Sequence, residues 1–431
     1  MKQKLVTTTR RLLPAGPLGK VEEAYRRSRV KLVSARYGYP ARGLKVIAIT
    51  GTNGKTTTAC FINEILKEAG KKTALFTTAV IEVDGQSRAN DMNMTVASTK
   101  IMQQFFLEAK HAKVDYVVLE VTSHALHQHK LDGVPIEAAV MTNLTQDHLD
   151  YHKTMKAYAA AKGKLFALEP QFIVLNRDDD WFDFFNQYSA SAAKITYGKN
   201  QEAEAKIDTV TLYKKGTEAS VTIDHQTKLE LATALPGEFN AYNMVAAAAL
   251  GYLLGIDLEV IAEGVANLEA VPGRFQRVVE KDPYDVIIDY AHTPDALEKL
   301  LTAVKALTKN RVILVFGACG DRDQGKRSIM GEIAAKLTDR IIVTDEESYN
   351  ENPEAIRRMI IEGIEVGRGA AKMTEIADRQ AAIEKALAIA TKGDTVLITG
   401  MGHEQFRIIN GARLPWNDAE VVRQLHQSKR A

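Results

Sequence analysis

Short apolar runs of strand length alternate with amphipathic stretches along most of this chain. The amphipathic stretches place apolar residues every three or four positions, which is typical of helices. Such alternation predicts a mostly parallel sheet covered by helices on both faces. The first predicted strands are Val46–Ile49, Thr73–Phe76, Tyr116–Glu120, Ala138–Met141 and Phe172–Leu175. The helices between them are Thr57–Ala69, Ser98–Lys110 and Met155–Ala167.

The pattern changes after Ala193 and starts again after residues 272–273, a Pro-Gly pair. In between, Ala205–Leu212 and Glu218–Ile223 predict an antiparallel flank, and Tyr242–Leu254 predicts an alanine-rich helix. The Pro-Gly pair is the best candidate for a domain boundary. The later strands are Val286–Asp289, Arg311–Phe316, Arg340–Val343 and Thr395–Thr399. The later helices are Pro294–Leu307, Ser328–Lys336, Glu354–Glu365 and Arg379–Thr391.

Residues 1–44 differ from the rest in charge. They hold eleven Lys and Arg against two Glu, a net charge of +9, while the whole chain of 431 residues carries only +2. Val21–Tyr37 predicts a basic helix. A solvated helix packed on the next domain is the simpler interpretation, and contact with an anionic membrane or a nucleotide is the alternative.

Composition narrows the class of protein. With 45% hydrophobic and 26% charged residues, the sequence is that of a globular protein. The balance of 56 basic against 54 acidic residues gives no reason to expect nucleic acid as a partner. Two cysteines cannot build a disulfide framework or a four-cysteine zinc site, so a cytoplasmic location is expected. A monomer is also expected.

The first strand runs directly into a glycine-spaced loop and a helix. In TGTNGKTTT the glycines let backbone N–H groups converge on a polyphosphate, the lysine adds a positive charge, and a threonine hydroxyl can ligate Mg²⁺. The alternative is a Gly/Asn turn with a chance lysine. The candidate nucleotide-binding residues are Gly51, Thr52, Asn53, Gly54, Lys55, Thr56 and Thr57.

Other polar residues follow the next predicted strands at the same sheet edge. Glu120 ends one strand, where a carboxylate could hold the Mg²⁺ that also touches Thr56. The loop after the following strand carries His148 and His152, either of which could be a second metal ligand. Lys162 lies on the helix after that loop.

Taken together, these motifs resemble the Mur ligase family. Eight motifs occur here in the family's order, and the MurE-like branch is the most similar. They are GTNGKTTT, EVTSH, NLTQDHLDYH with AYAAAK, PGEFNAYN, VPGRFQ, DYAHTPDAL, GACGDRDQGKR and GMGHE. The resemblance covers about Leu44 to Ala431. The basic helical segment at 1–44 precedes it, and the resemblance implies a central P-loop ATP-binding domain at 45–272 and a Rossmann-like C-terminal domain at 273–431.

The resemblance also implies an ATP-dependent, ADP-forming ligase. Such enzymes phosphorylate a muropeptide-like carboxylate, and the amine of an amino acid then attacks the acyl-phosphate. ATP and two Mg²⁺ are implied as cofactors, with Lys55, Glu120, His148 and Lys162 as catalytic residues and Thr56, Glu120 and His148 as metal ligands. Lys162 is implied to be carbamylated, and Lys164 is the rival position.

Further residues are assigned by the same resemblance. On the nucleotide side it implies Asn240, Asn243, Arg274, Asp289 and His292, and helix capping is the plainer role for the two asparagines. On the substrate side it implies Thr95, Ser98, Thr122, Ser123, Arg322, Lys326, Arg327, Glu346, Tyr349, His403 and Glu404.

Three features depart from the MurE pattern. MurE proteins carry about a further domain's length before the P-loop, which anchors the uridine nucleotide; here only the basic segment precedes it. The DNPR acceptor loop aligns with Glu346–Tyr349, so an arginine that could hold a carboxylate is replaced by Tyr349. A cationic acceptor such as lysine is therefore expected rather than diaminopimelate. The segment that contacts the muropeptide in the family is changed here at residues 94–98. The lysine of the family's GKGHE motif is replaced by Met401.

These departures leave alternatives to a UDP-muropeptide ligase. One is a ligase for a non-UDP or lipid-linked donor, and another is a chain extender of the folate or cyanophycin type. A third is a nucleotide-binding partner of an amidotransferase. The Mur-ligase-like subunit of the lipid II amidotransferase has a similar short basic start, but it carries a four-cysteine zinc ribbon that this chain cannot form.

Overall fold

The computed structural model describes residues 15–90, 92, 98–279, 283–409 and 411–428. Its helices are Ala15–Arg36, Lys55–Glu68, Thr99–His111, Ser123–His127, Leu149–His152, Met155–Phe166, Phe182–Asn186, Glu238–Leu253, Leu258–Ala266, Pro294–Leu307, Gly325–Leu337, Pro353–Val366, Arg379–Ile389 and Asp418–Ser428, with a 3₁₀ turn at Ala370–Lys372.

The first sheet has eleven strands. They are β1 Lys45–Thr50, β2 Thr73–Phe76, β3 Val80–Val83, β4 Gln86–Ala89, β5 Tyr116–Glu120, β6 Ile136–Met141, β7 Phe172–Asn176, β8 Ala193–Gly198, β9 Ala205–Tyr213, β10 Gly216–Ile223 and β11 Thr227–Thr233. Their order is β11-β10-β9-β8-β7-β6-β1-β5-β2-β3-β4, parallel from β9 to β2 and antiparallel at both ends. The predicted parallel sheet and its antiparallel flank are confirmed.

The second sheet has six strands, and a hairpin stands beside it. These strands are β12 Gln276–Val279, β13 Asp285–Asp289, β14 Val312–Phe316, β15 Arg340–Val343, β16 Met373–Glu375, β17 Thr395–Thr399, β18 Phe406–Ile409 and β19 Ala412–Pro415. The sheet order is β12-β13-β17-β14-β15-β16, with β12 antiparallel and the other neighbours parallel. Strands β18 and β19 pair with each other.

Both sheets are buried on two faces, which explains the continuous apolar runs. In β1, Ile47 and Ile49 pack into one cluster with the helices Lys55–Glu68 and Glu238–Leu253, while Val46 and Ala48 pack into a second cluster on the opposite face. The carboxyl ends of β1, β5 and β6 therefore meet at one sheet edge. Within the described residues, no helix has the length and apolar character needed to cross a membrane.

Candidate functional site

The loop after β1 has a backbone shape that requires glycine. Gly51 (φ 152°) and Gly54 (φ 83°) both lie in the left-handed half of backbone space. A Cβ on Gly51 would lie 1.8 Å from Thr142 Oγ1, and one on Gly54 would lie 2.3 Å from Asn243 Oδ1. Gly54 directly precedes helix Lys55–Glu68, whose first turn faces a cavity of ≈ 490 Å³. The backbone thus offers its N–H groups to an anion.

Thr56 and Glu120 meet at the floor of this cavity. Thr56 Oγ1 donates to Glu120 Oε2 (2.8 Å), and the backbone N–H of Thr78 donates to the same oxygen (2.8 Å). Lys55 Nζ lies 4.0 Å from Glu120 Oε1 and donates to Thr52 O (2.8 Å). Burial lowers the pKa of Lys55, although Glu120 opposes this shift.

This pair of oxygen donors fits Mg²⁺. A hydroxyl and a buried carboxylate beside an anion-binding loop are the hard ligands that Mg²⁺ prefers. Among the described residues, no three His, Cys, Asp or Glu side chains are grouped closely enough to hold a metal alone. The ion would therefore take its other ligands from phosphate and water, as Mg²⁺ commonly does.

Lys162 lies beneath the loop and is only 1% exposed. Its Nζ donates to Gly51 O (2.6 Å) and lies 4.7 Å from the centre of the Tyr158 ring. Burial, followed by repulsion from Lys55, brings the pKa of Lys162 well below its usual value. Lys164 instead lies 3.3 Å from His129 Nε2, on the side of the N-terminal helix. Of the two rival lysines, Lys162 is the one beside the phosphate loop.

The loop after β6 brings His148 and Asp147 to the cavity. His148 has a left-handed backbone (φ 55°), and its Nε2 lies 3.3 Å from Asp147 Oδ2. Burial lowers the pKa of His148 to about 3, so the ring is neutral and can act as a ligand. His152 lies further back and bonds to Ser123 Oγ through Nε2 (2.9 Å). Of the two candidate histidines, only His148 lines the cavity.

Asp147 is a site residue that sequence reasoning missed. Lys326 Nζ contacts its Oδ1 at 3.3 Å, and both side chains are almost fully buried. His292 Nε2 lies 3.9 Å from Oδ2. Although burial alone would raise it, the pKa of Asp147 is held below its usual range by Lys326, His148 and His292. Asp147 directly precedes His148 in the loop after a predicted strand. That position was the feature of the sequence that could have identified it.

The half of the molecule after residue 272 reaches into the same cavity. Arg274 Nη2 donates to Thr56 Oγ1 (3.2 Å) and lies over the ring of Tyr290. Asn53 Nδ2 donates to Asp295 Oδ2 (2.7 Å). Asp295 and Tyr290 were not foreseen. These contacts close the second sheet over the phosphate loop.

Other predicted nucleotide-side residues also line the cavity. Asn243 Nδ2 donates to Asn240 Oδ1 (3.1 Å), and Thr58 Oγ1 donates to Asn243 Oδ1 (3.3 Å). Neither asparagine caps its helix, which begins at Glu238 after Gly237. Asp289 accepts from the backbone N–H of Phe275 and Ala291, and burial raises its pKa. Burial lowers the pKa of His292 to about 4.

Three carboxyl groups in the second half of the chain, those of Glu346, Glu347 and Glu404, are buried but do not line the cavity. Burial raises the pKa of Glu346 to about 7, and burial with repulsion from Glu347 raises the pKa of Glu404 to about 8. Tyr349 donates to Glu347 Oε2 (3.1 Å), and the Arg322 guanidinium lies 4.9 Å from the Tyr349 ring centre. Glu347 and Glu404 therefore repel each other, whereas Arg379 partly offsets the effect of burial on Glu346.

The remaining predicted substrate residues are spread over several environments. Thr122 lines the cavity, whereas Ser98 is an exposed helix cap and Ser123 is buried behind the cavity. Arg327 is fully buried and paired with Glu351 through both terminal nitrogens. His403 Nε2 donates to Thr78 O (3.0 Å). Thr95 lies outside the described residues.

The buried Asp147–Lys326 pair predicts strong non-additivity. Asp147→Asn and Lys326→Met should each lower kcat/KM by about 10- to 100-fold, because each leaves a buried charge without its partner. The double variant should lose little more than either single one. The surface pair Glu332–Lys336 is the control. The corresponding variants Glu332→Gln and Lys336→Met should leave kcat/KM unchanged. Independent, multiplying losses at Asp147 and Lys326 would show that the pair does not act as a unit.

Comparison with known proteins adds to this geometry. The sequence matches the descriptions "Mur ligase middle domain" over residues 49–251 and "Mur ligase, glutamate ligase domain" over residues 273–402. A relative from Geobacillus kaustophilus, named UDP-N-acetylmuramoyl-L-alanyl-D-glutamate--2,6-diaminopimelate ligase, is 40% identical over 92% of this chain and 82% of its own length. A relative of the same name from Aquifex aeolicus is also 40% identical, over 90% of this chain and 79% of its own.

Solved structures are similar as well. A structure of a ligase with the same name has a TM-score of 0.62 and 32% identity, covering 90% of this chain and 79% of its own. A Mycobacterium tuberculosis folylpolyglutamate synthase with ADP has a TM-score of 0.72 at 20% identity, covering 86% and 91%. At that identity the second likeness concerns the fold alone.

Proposed function

The chain belongs to the Mur ligase family, in its MurE-like branch, and we propose that it is an ATP-dependent, ADP-forming ligase. It would join the carboxylate of a muropeptide-like donor to the amine of an amino acid through an acyl-phosphate. The observation that carries this proposal is the meeting of Lys55, Thr56 and Glu120 above the buried Lys162, at the end of a glycine-shaped phosphate loop.

Each of these side chains has a role that follows from its position. Lys55 would contact the β- and γ-phosphates, and Thr56 with Glu120 would hold one Mg²⁺. When bound, Mg²⁺ neutralises charge on the phosphates and on the donor carboxylate, which otherwise repel each other. Arg274 and His292, from the second half of the chain, would exclude water that could hydrolyse the acyl-phosphate.

The proposal includes a second Mg²⁺ near Glu120 and His148, with Lys162 carbamylated. The lowered pKa of Lys162 supports this, because only a neutral amine reacts with carbon dioxide. A carbamate would also replace a buried cation by an anionic oxygen group beside the metal. The enzyme is proposed to act as a monomer in the cytoplasm, divided at residues 44 and 272, with peripheral membrane contact through residues 1–44.

For the acceptor, we propose an amino acid with a basic side chain. The relatives are named as diaminopimelate ligases, but the segment of this chain that aligns with their acceptor loop holds Glu346 and Glu347, and Glu404 lies close enough to Glu347 for the two carboxylates to repel each other. Burial raises the pKa values of Glu346 and Glu404. A side-chain ammonium would relieve the repulsion between Glu347 and Glu404. Tyr349 offers a hydroxyl where an arginine could bind a second carboxylate.

The acceptor proposal predicts a change of selectivity for Tyr349→Arg. The variant should raise kcat/KM for diaminopimelate relative to lysine by about tenfold, because a guanidinium can hold the extra carboxylate. Tyr213→Arg is the control, since Tyr213 donates to Glu218 Oε2 (3.0 Å) much as Tyr349 donates to Glu347. Equal selectivity in the Tyr349→Arg variant and the unaltered protein would show that the loop Glu346–Tyr349 does not determine which acceptor is used.

The ligase proposal is tested by phosphate release from ATP across a panel of amino acids, with and without UDP-muropeptide. Release should require Mg²⁺, a donor and an amine together. If no donor gives amine-dependent release, the ligase proposal is wrong. Release that needs an amine but only a donor without UDP would keep the reaction and change the donor class.

A further inference from the structure

The helix Ala15–Arg36 exposes an apolar stripe to solvent. Val21, Tyr25 and Leu32 are exposed by 60%, 65% and 74%, among the largest exposures of apolar side chains in the described residues. Their spacing of four and seven residues places them on one line along the helix. The opposite face carries the buried Val30 and Ser34, which pack on the body of the protein. The stripe therefore points away from the rest of the molecule.

The acidic side chains of this helix are already paired. Glu22 contacts Arg26 (3.2 Å), and Glu23 contacts Arg27 (3.3 Å) and His129 Nε2 (3.1 Å). The two Glu–Arg pairs lie within the helix, and the Glu23–His129 contact joins the helix to the body of the protein. The two acids do not offset the charge of the outer face.

Three cations flank the stripe. Arg29 and Arg36 lie on one side of it and Lys31 on the other, and all three are exposed. No ion pair among the described residues engages them. In the sequence, residues 1–44 carry a net charge of +9 and the whole chain carries +2, so the net charge of residues 45–431 is −7. Residues 15–36 themselves carry six Lys and Arg against two Glu, a net charge of +4, while residues 45–431 would be repelled by an anionic surface.

From this combination we propose that the outer face of helix Ala15–Arg36 docks on an anionic lipid membrane. Aliphatic and tyrosine side chains would enter the boundary between headgroups and acyl chains, while the flanking arginines and lysine contact lipid phosphates. The stripe favours lipid over nucleic acid, because phosphate backbones offer no apolar layer to bury it. The proposal does not depend on the ligase activity.

The helix also lies near one part of the cavity lining. Arg26 Nη1 lies 3.4 Å from His127 Nδ1, which lies 2.8 Å from the Tyr151 hydroxyl. Burial, and then Arg29, lower the pKa of Lys130, which lines the cavity. Membrane docking would therefore place the helix and this part of the cavity lining on the side of the protein that faces the lipid.

The test is sedimentation of the full chain with vesicles. It should pellet with phosphatidylglycerol–phosphatidylcholine vesicles, remain in solution with phosphatidylcholine alone, and be released as salt rises. Tyr25→Ser combined with Leu32→Ser should weaken binding by about tenfold or more, since two apolar anchors are lost. Val366→Ser is the matched control, because Val366 is 73% exposed elsewhere on the surface.

Thermal melting and amine-dependent phosphate release should be unchanged in the double variant, which shows that it folds. Equal pelleting of the double variant and the unaltered protein would overturn the proposal. Pelleting to the same extent with charged and uncharged vesicles, and at low and high salt, would also overturn it. A dimer that dissociates in the double variant, without vesicle binding by the unaltered protein, would assign the stripe to a second copy instead.

Discussion

Replacing Glu120 by glutamine should reduce amine-dependent phosphate release by about 10²- to 10³-fold or more, because it removes the charge that we propose holds a metal ion at the phosphates. Glutamine has nearly the same size and can still accept the hydrogen bonds from Thr56 Oγ1 and from the backbone N–H of Thr78. The loss should therefore come from charge and not from shape. Steady-state ADP formation as a function of Mg²⁺ concentration measures it, and the variant should need more Mg²⁺.

Glu82→Gln is the matched control for this substitution. Glu82 lies on β3 of the same sheet, is 12% exposed at its side chain, and accepts from Asn63 Nδ2 (3.2 Å). It lies outside the cavity, so ADP formation should be unchanged. If the Glu120→Gln variant kept most of its activity at ordinary Mg²⁺, the assignment of Glu120 as a metal ligand would be wrong.

The sequence was a good guide to the buried strands and to the residues at their ends. Strands such as β1 and β5 are buried on both faces, so their apolar runs are unbroken and easily recognised. Parallel neighbours also carry their C-terminal residues to the same edge. For that reason Glu120 could be expected near Thr56 although they are 64 residues apart.

The β3–β4 hairpin at one edge of the first sheet was missed. Strands β3 and β4 are only four residues long, and β4 is wholly exposed, so neither gives a clear apolar run. The signal was present in the Asp84-Gly85 turn, where both residues have positive φ. Short exposed strands are best found from such turns.

Contacts between the two halves of the chain could not be predicted from local patterns. Asp147 and Lys326 are 179 residues apart, and Arg274 and Thr56 are 218 apart. Their meeting depends on how the two sheets are placed relative to each other. The N–H of Thr78 that supports Glu120 is a backbone group, and no side-chain motif can reveal it.

Replacing Lys162 should give the second large effect. Lys162→Ala should lower turnover by about 10²- to 10³-fold, because the carbamate proposed for this side chain can no longer form. Short carboxylic acids such as acetate should restore part of the activity, since they can enter the space left by the side chain and supply the missing carboxylate. Lys162→Arg should be as inactive and should not be rescued, because a guanidinium keeps its positive charge and leaves no space.

The carbamate itself should be visible after equilibration with isotope-labelled bicarbonate, as a nuclear magnetic resonance signal present in the unaltered protein and absent in Lys162→Arg. The signal should strengthen as pH rises through the lowered pKa of Lys162, because the amine must be neutral to react. Lys164→Arg is the control and should keep both the signal and the activity, since Lys164 lies near His129 and not near the phosphate loop. Full activity in Lys162→Arg, together with no labelled signal in the unaltered protein, would show that Lys162 acts as a plain ammonium holding Gly51 and not as a carbamate.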